Sequence, residues 1–153
     1  MPVAAKLKEL GLTLPEPPRP VATYVPAVRT GNLLFVSGQL PFVDGKLQKV
    51  GKLGGNFTVD EGIAAARTAT LNALAIVNAS AGSLDKVAQV VKLAVYVASA
   101  SGFTDQPRVA NGASELLINL FGETGRHSRV AMGAAELPLG APVEVELVVE
   151  LRD

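Results

Sequence analysis

The chain has 153 residues, 48% hydrophobic and 18% charged, with 14 basic residues balancing 14 acidic ones. That is enough apolar material for one packed domain and too little clustered charge for a stripe that binds phosphate backbones, so disorder, a second domain and a nucleic-acid partner are not expected. Cysteine is absent, which excludes thiol nucleophiles, disulfides and cysteine metal sites and fits a reducing, cytoplasmic setting.

The opening MPVAAKLKELGL predicts a short helix ended by Gly11; it has neither the apolar segment of a signal peptide nor the length of a membrane span. LPEPPRP then reads as a proline-stiffened surface connector. Residues 1–23 are therefore expected to form an N-terminal helix and proline-rich extension, an appendage to a domain spanning 24–153. From Tyr24, YVPAVRTGNLLFVSGQLPFVDGKL gives two strand-like runs around Thr30-Gly31-Asn32 and a second turn at Asp44-Gly45. FTVDEGIAAARTATLNALAIVNASAG opens with Thr58 three residues before Glu61, a capping box, and closes at Gly82. Ile63, Ala66, Thr70, Leu74 and Val77 mark its apolar face, and its alanines allow close approach to a sheet.

VAQVVKLAVYVAS has the β-branched density of a buried strand. FTDQPRVANGASELLINLFG returns to helical spacing, with Pro107 in the first turn and Gly122 as the stop. SRVAMGAA is a strand, LPLGAP a turn and VEVELVVEL a final strand. The order β-β-α-β-α-β-β, with antiparallel hairpins at both ends, predicts an α+β domain with two helices on one face of a mixed sheet.

In VEVELVVEL, Val143, Val145, Leu147, Val149 and Leu151 share one face, while Glu144, Glu146, Val148 and Glu150 share the other. A mixed second face suits a subunit interface, and a mean hydropathy of +0.32 points to association as well. In SRVAMGAA, Arg129 stands on the same side as Ala131, Gly133 and Ala135, at the end of a trough of small side chains where a guanidinium has room to grip a planar carboxylate. If the following turn brings Glu144 onto the adjacent strand, the two residues either flank one small cavity, as anchor and as general base or water-positioner, or form an ion pair at the sheet edge. Spacing alone favours the ion pair. His127 is the only histidine, so the two-histidine arrangement of metal-free ribonucleases is excluded within one chain, and His127 reads as a rim residue. Gly54-Gly55 lacks any phosphate-loop pattern and reads as a turn.

NLLFVSGQLP, the helix after it, VKLAVYV, Asn111 and the terminal R-x8-P-x5-E-x-E arrangement from Arg129 through Pro138 and Glu144 to Glu146 resemble the YjgF/Rid family. These are the RidA-like reactive intermediate/imine deaminases, formerly L-PSP endoribonucleases, and the resemblance runs from about Tyr24 to Arg152. It implies a chorismate-mutase-like fold in which three chains join by their sheets into a trimeric barrel with sites in the clefts between subunits. It also implies hydrolysis, without cofactor or metal, of small enamine/imine carboxylates such as 2-aminoacrylate to a 2-ketoacid and ammonia, a 2-iminobutanoate/2-iminopropanoate deaminase-like activity. By the same resemblance Arg129 grips the substrate carboxylate, Glu144 positions the attacking water, and Tyr24, Ser37 and Asn111 line the cleft. The chain departs from the family pattern with His127-Ser128 in place of Pro-Ala before the arginine and Ala131 in place of a cysteine, as a divergent branch would. A non-catalytic homotrimer that binds a small carboxylate is the alternative; an endoribonuclease is the weaker one, given zero net charge and one histidine.

Overall fold

The computed structural model describes residues 1–19 and 23–153. Thr58 and Glu61 cap one another: the Glu61 N–H donates to Thr58 Oγ1 at 3.1 Å and the Thr58 N–H to Glu61 Oε1 at 3.0 Å. This starts α2 (Val59–Ala81), which Gly82 ends in the left-handed conformation at φ 88°. Pro107 lies in the first turn of α3 (Gln106–Phe121), and Gly122 closes it. The alternating segments form β1 (Ala27–Thr30), β2 (Leu33–Gln39), β5 (Val87–Ala98), β6 (Ser128–Ala134) and β7 (Val143–Leu151). A small separate hairpin, β3 (Phe42–Val43) with β4 (Lys46–Leu47), turns at Asp44 and Gly45, both at positive φ as a type I′ turn requires.

The five strands form one sheet in the order β1-β2-β7-β5-β6. β5 and β6 run parallel, joined by α3, and the other pairings are antiparallel. The expected C-terminal hairpin is therefore not formed: β7 crosses β5 and inserts between β5 and β2. Two strand spacings are about 10 Å, which the connection from residue 135 to 142 spans easily. The burial patterns explain the choice. β7 is buried at every odd position and partly buried at Glu144, Glu146 and Val148, so it gains from neighbours on both sides, whereas β6 is mostly exposed and suits the edge.

α2 and α3 cover one face of the sheet over a core that includes Leu74, Val77, Leu93, Val95, Val109, Leu117, Val145 and Leu147. Ile63, expected in that core, is only partly buried. The N-terminal helix, α1 (Val3–Glu9), is not an appendage. Val3 and Leu7 belong to the same core, and the Val3 N–H donates to Asp85 Oδ1 at 2.8 Å. The opposite sheet face leaves Val28, Phe35, Val130 and Met132 exposed by 36–54%. No helix among the described residues is long and apolar enough to cross a membrane.

The two large helices meet across glycine. A Cβ on Gly112 of α3 would overlap the main-chain carbonyl of Ile63 in α2. Gly112→Ala gains about 1 kcal/mol of helix propensity, but backbone cannot swing aside as a side chain can, and overpacking costs about 1–3 kcal/mol. The expected outcome is a lower urea midpoint; an equal or higher one would show that the helices separate without cost.

A candidate active site in two halves

Tyr24 precedes β1, Ser37 and Gly38 lie near the end of β2, and Glu144 opens β7; all four line a cavity of about 410 Å³ that Phe42, Pro138 and Arg19 also border. Local backbone chemistry assembles them. The β2–β7 register shifts between Val36 and Gln39, an irregularity of the kind that re-aims side chains at a strand end. Ser37 then fastens the preceding segment: its hydroxyl donates to the Val25 carbonyl at 2.7 Å and its N–H to the Pro26 carbonyl at 2.9 Å. The Ser37 proton is thus committed to the main chain, and its oxygen faces the site as an acceptor.

Glu144 lies against Gly38, where any side chain would overlap its carboxylate. Burial, and then the neighbouring Glu146 anion, push the Glu144 carboxyl above its ordinary range. Glu146 accepts a hydrogen bond from the Tyr96 hydroxyl at 2.7 Å, which in turn raises the Tyr96 phenol.

Arg129 belongs to a second cluster. Its Nη1 donates to Asn111 Oδ1 at 2.8 Å and to Ser114 Oγ at 3.2 Å, both on α3. The two Nη1 protons are thereby used, and no hydrogen bond among the described residues engages Nε or Nη2. That leaves the side-on edge of the fork, the edge that takes a carboxylate through two parallel hydrogen bonds. Asn111 thus orients Arg129 through the same oxygen that a cleft-lining role would present to substrate.

The two halves do not meet within one chain. Arg129 pairs with Leu93 and Leu93 with Leu147, both buried beneath the helices; Met132 pairs with Tyr96 and Tyr96 with Glu144. Directly paired residues share a face, so Arg129 is on the helix side and Glu144 on the open side, with β5 between their strands. The expectation that they flank one cavity within a chain fails, and so does the alternative of an edge ion pair: none among the described residues involves either. Reading the sequence also missed Ser114, a helical serine with no motif of its own, and Gly38, whose signal was present in SGQLP.

A family model described as "YjgF/chorismate_mutase-like, putative endoribonuclease" matches residues 4–151. The chain is 49% identical over 152 residues to protein TCP17 of Trypanosoma cruzi, covering 99% of this chain and 95% of that one. It is 30% identical over 141 residues to a 2-iminobutanoate/2-iminopropanoate deaminase of Dermatophagoides farinae, covering 92% and 95%. A solved structure from Agrobacterium tumefaciens, of a protein of unknown function, superimposes with a TM-score of 0.91 at 44% identity, covering 98% of this chain and 93% of that one.

The Glu144 carboxyl supplies a pH prediction. The folded chain holds this proton more tightly than the unfolded chain, so its contribution to stability is fully present below the ordinary carboxylate range and is lost as pH rises through the folded pKa. Glu146→Gln removes the neighbouring anion and keeps an acceptor for Tyr96, so Glu144 should then titrate at lower pH. A carboxyl-carbon NMR titration reads this, and an unchanged or raised midpoint would refute the assigned coupling.

Proposed function

We propose, from the premise that this chain belongs to the YjgF/chorismate-mutase-like family, that it is a cofactor-free hydrolase of small enamine/imine carboxylates such as 2-aminoacrylate. The observation that carries the reading is a division of labour: a partly buried carboxylate with a raised pKa opens on a cavity beside Tyr24 and Ser37, while a guanidinium with one fixed nitrogen and a free edge stands on the edge strand β6. The named activity of the Dermatophagoides farinae relative supports the substrate class.

Since one chain keeps these groups on opposite sheet faces, the working site is made by two copies of a homotrimer. The open sheet face, with Val28, Phe35, Val130 and Met132 exposed, is the surface on which the copies meet. Arg129 of one copy, at a sheet edge, reaches the cavity of the next. There it holds the carboxylate of the imine tautomer while the Glu144 carboxylate takes a proton from water as the water oxygen bonds to the imine carbon and the C=N π bond opens. That proton passes to nitrogen to give the carbinolamine; as its hydroxyl proton moves to the amine the C–N bond breaks, and ammonia and a 2-ketoacid leave. A base whose pKa is raised toward working pH suits this step. Zero net charge and a single histidine argue against RNA as substrate.

The test is ammonia release from imines generated in situ from several amino acids, alongside light scattering. Wild type should be trimeric and should accelerate release. Arg129→Ala should lose one to several decades, the equivalent of roughly 2–5 kcal/mol, and Arg129→Lys should recover little. Gly38→Ala should displace the Glu144 carboxylate and cost on the order of a hundredfold in turnover with little change in thermal midpoint. Co-assembling equal amounts of Arg129→Ala and Glu144→Gln subunits should restore about a quarter of wild-type activity under random mixing. No acceleration by wild type refutes the enzyme, a monomer refutes the assembly, and no recovery refutes the shared site.

A further inference from the structure

The residues just before the arginine extend its hydrogen-bond network inward. His127 Nδ1 lies 2.6 Å from the carbonyl oxygen of Gly125, and its Nε2 lies 2.8 Å from Ser114 Oγ. A carbonyl oxygen only accepts, so Nδ1 carries a proton, and Nε2 is the ring nitrogen that can accept from a neighbouring hydroxyl. Ser114 Oγ accepts from Arg129 Nη1 at 3.2 Å, and the Ser114 proton has Nε2 within reach as its acceptor. The base of this network is closely packed. Gly125 is buried, and a Cβ there would overlap the main-chain carbonyl of Leu117 in α3. Ser114 is itself buried, 9% exposed, on that same helix.

We infer that His127 is a positioning residue: through Ser114 it fixes the direction of the Arg129 fork, so that Nε and Nη2 face outward as a preformed carboxylate seat. Asn111 holds one Nη1 proton directly and the Ser114–His127 pair holds the other, and two fixed protons on one nitrogen define the guanidinium plane. With one of them lost the guanidinium rotates about the remaining bond, and each binding event must order it again. Without the histidine the Ser114 hydroxyl loses its acceptor and can turn its proton toward the cation. This inference rests on the reading of Arg129 as a carboxylate anchor.

Two measurements test it, and the first needs no ligand. Because the chain has a single histidine, untagged protein labelled with nitrogen-15 in histidine gives one ring to assign. The expected spectrum is that of a ring protonated at Nδ1 alone; a ring protonated at Nε2, alone or together with Nδ1, or a rapidly averaged one, overturns the inference. The second is titration of 2-oxobutanoate, with steady-state kinetics, into wild type, Ser114→Ala, His127→Ala and His127→Gln, each confirmed to be folded and assembled as wild type is. Loss of one oriented hydrogen bond should weaken binding and raise KM roughly tenfold with kcat nearly unchanged in both alanine variants. His127→Gln, which can still accept from Ser114, should recover most of that loss. Wild-type affinity in His127→Ala, or a glutamine variant no better than alanine, overturns the positioning role. If wild type and Arg129→Ala instead bind the ketoacid equally, the anchor reading fails, while the histidine spectrum still decides whether the network is formed.

Discussion

A strand's period of two, imposed on the central strand of the sheet, governs the rest of the molecule. Val143–Leu151 is paired on both edges, to β2 and to β5, and every odd residue is buried beneath the helices. The even residues have no choice of side. Glu144 and Glu146 must emerge on the uncovered face, where half-burial and mutual repulsion raise Glu144. A one-residue slip would turn both carboxylates into the core and five apolar side chains out of it. The same packing that stabilises the fold therefore holds the Glu144 carboxyl in place.

The second constraint is glycine at close approaches. Gly112 lets α3 lie on the backbone of α2, Gly38 lets Glu144 lie on the backbone of β2, and Gly125 seats the turn that carries His127. The first is a matter of stability and the other two of aim. Both halves of the candidate site thus rest on main chain, whose position is set by pairing and helix packing and not by rotamer choice.

Much of this was legible because it is local. The Thr58–Glu61 box, Gly82, Pro107 and Gly122 set helix limits through contacts a few residues long, and the alternation in β7 was read off directly. Strand order is not local: the eight residues between β6 and β7 allow a hairpin or a crossing, and only competition for the central position, won by the strand with two partly buried faces, decides between them. The error about Arg129 and Glu144 followed from that one choice. Tyr24, Ser37 and Glu144 do gather around one cavity and Asn111 does meet Arg129, but the division into two clusters follows from the sheet order. Ser114 was invisible because its partners lie 13 and 15 positions away and no periodic pattern links them.

The central place of β7 has a consequence for synthesis. It leaves the ribosome after both its neighbours, yet both need it. Until Val143–Leu151 emerges, β2 and β5 each present a row of unpaired amide and carbonyl groups beside apolar surface that α2 and α3 cannot fully cover. The β1–β2 hairpin and the β5–α3–β6 unit cannot join into one sheet until then, since the strand they share joins residues more than a hundred positions apart, such as Leu34 and Val149. The nascent chain is then most exposed to strand-to-strand association in the interval before this strand emerges, and a slower translation of the segment that carries it would lengthen that interval.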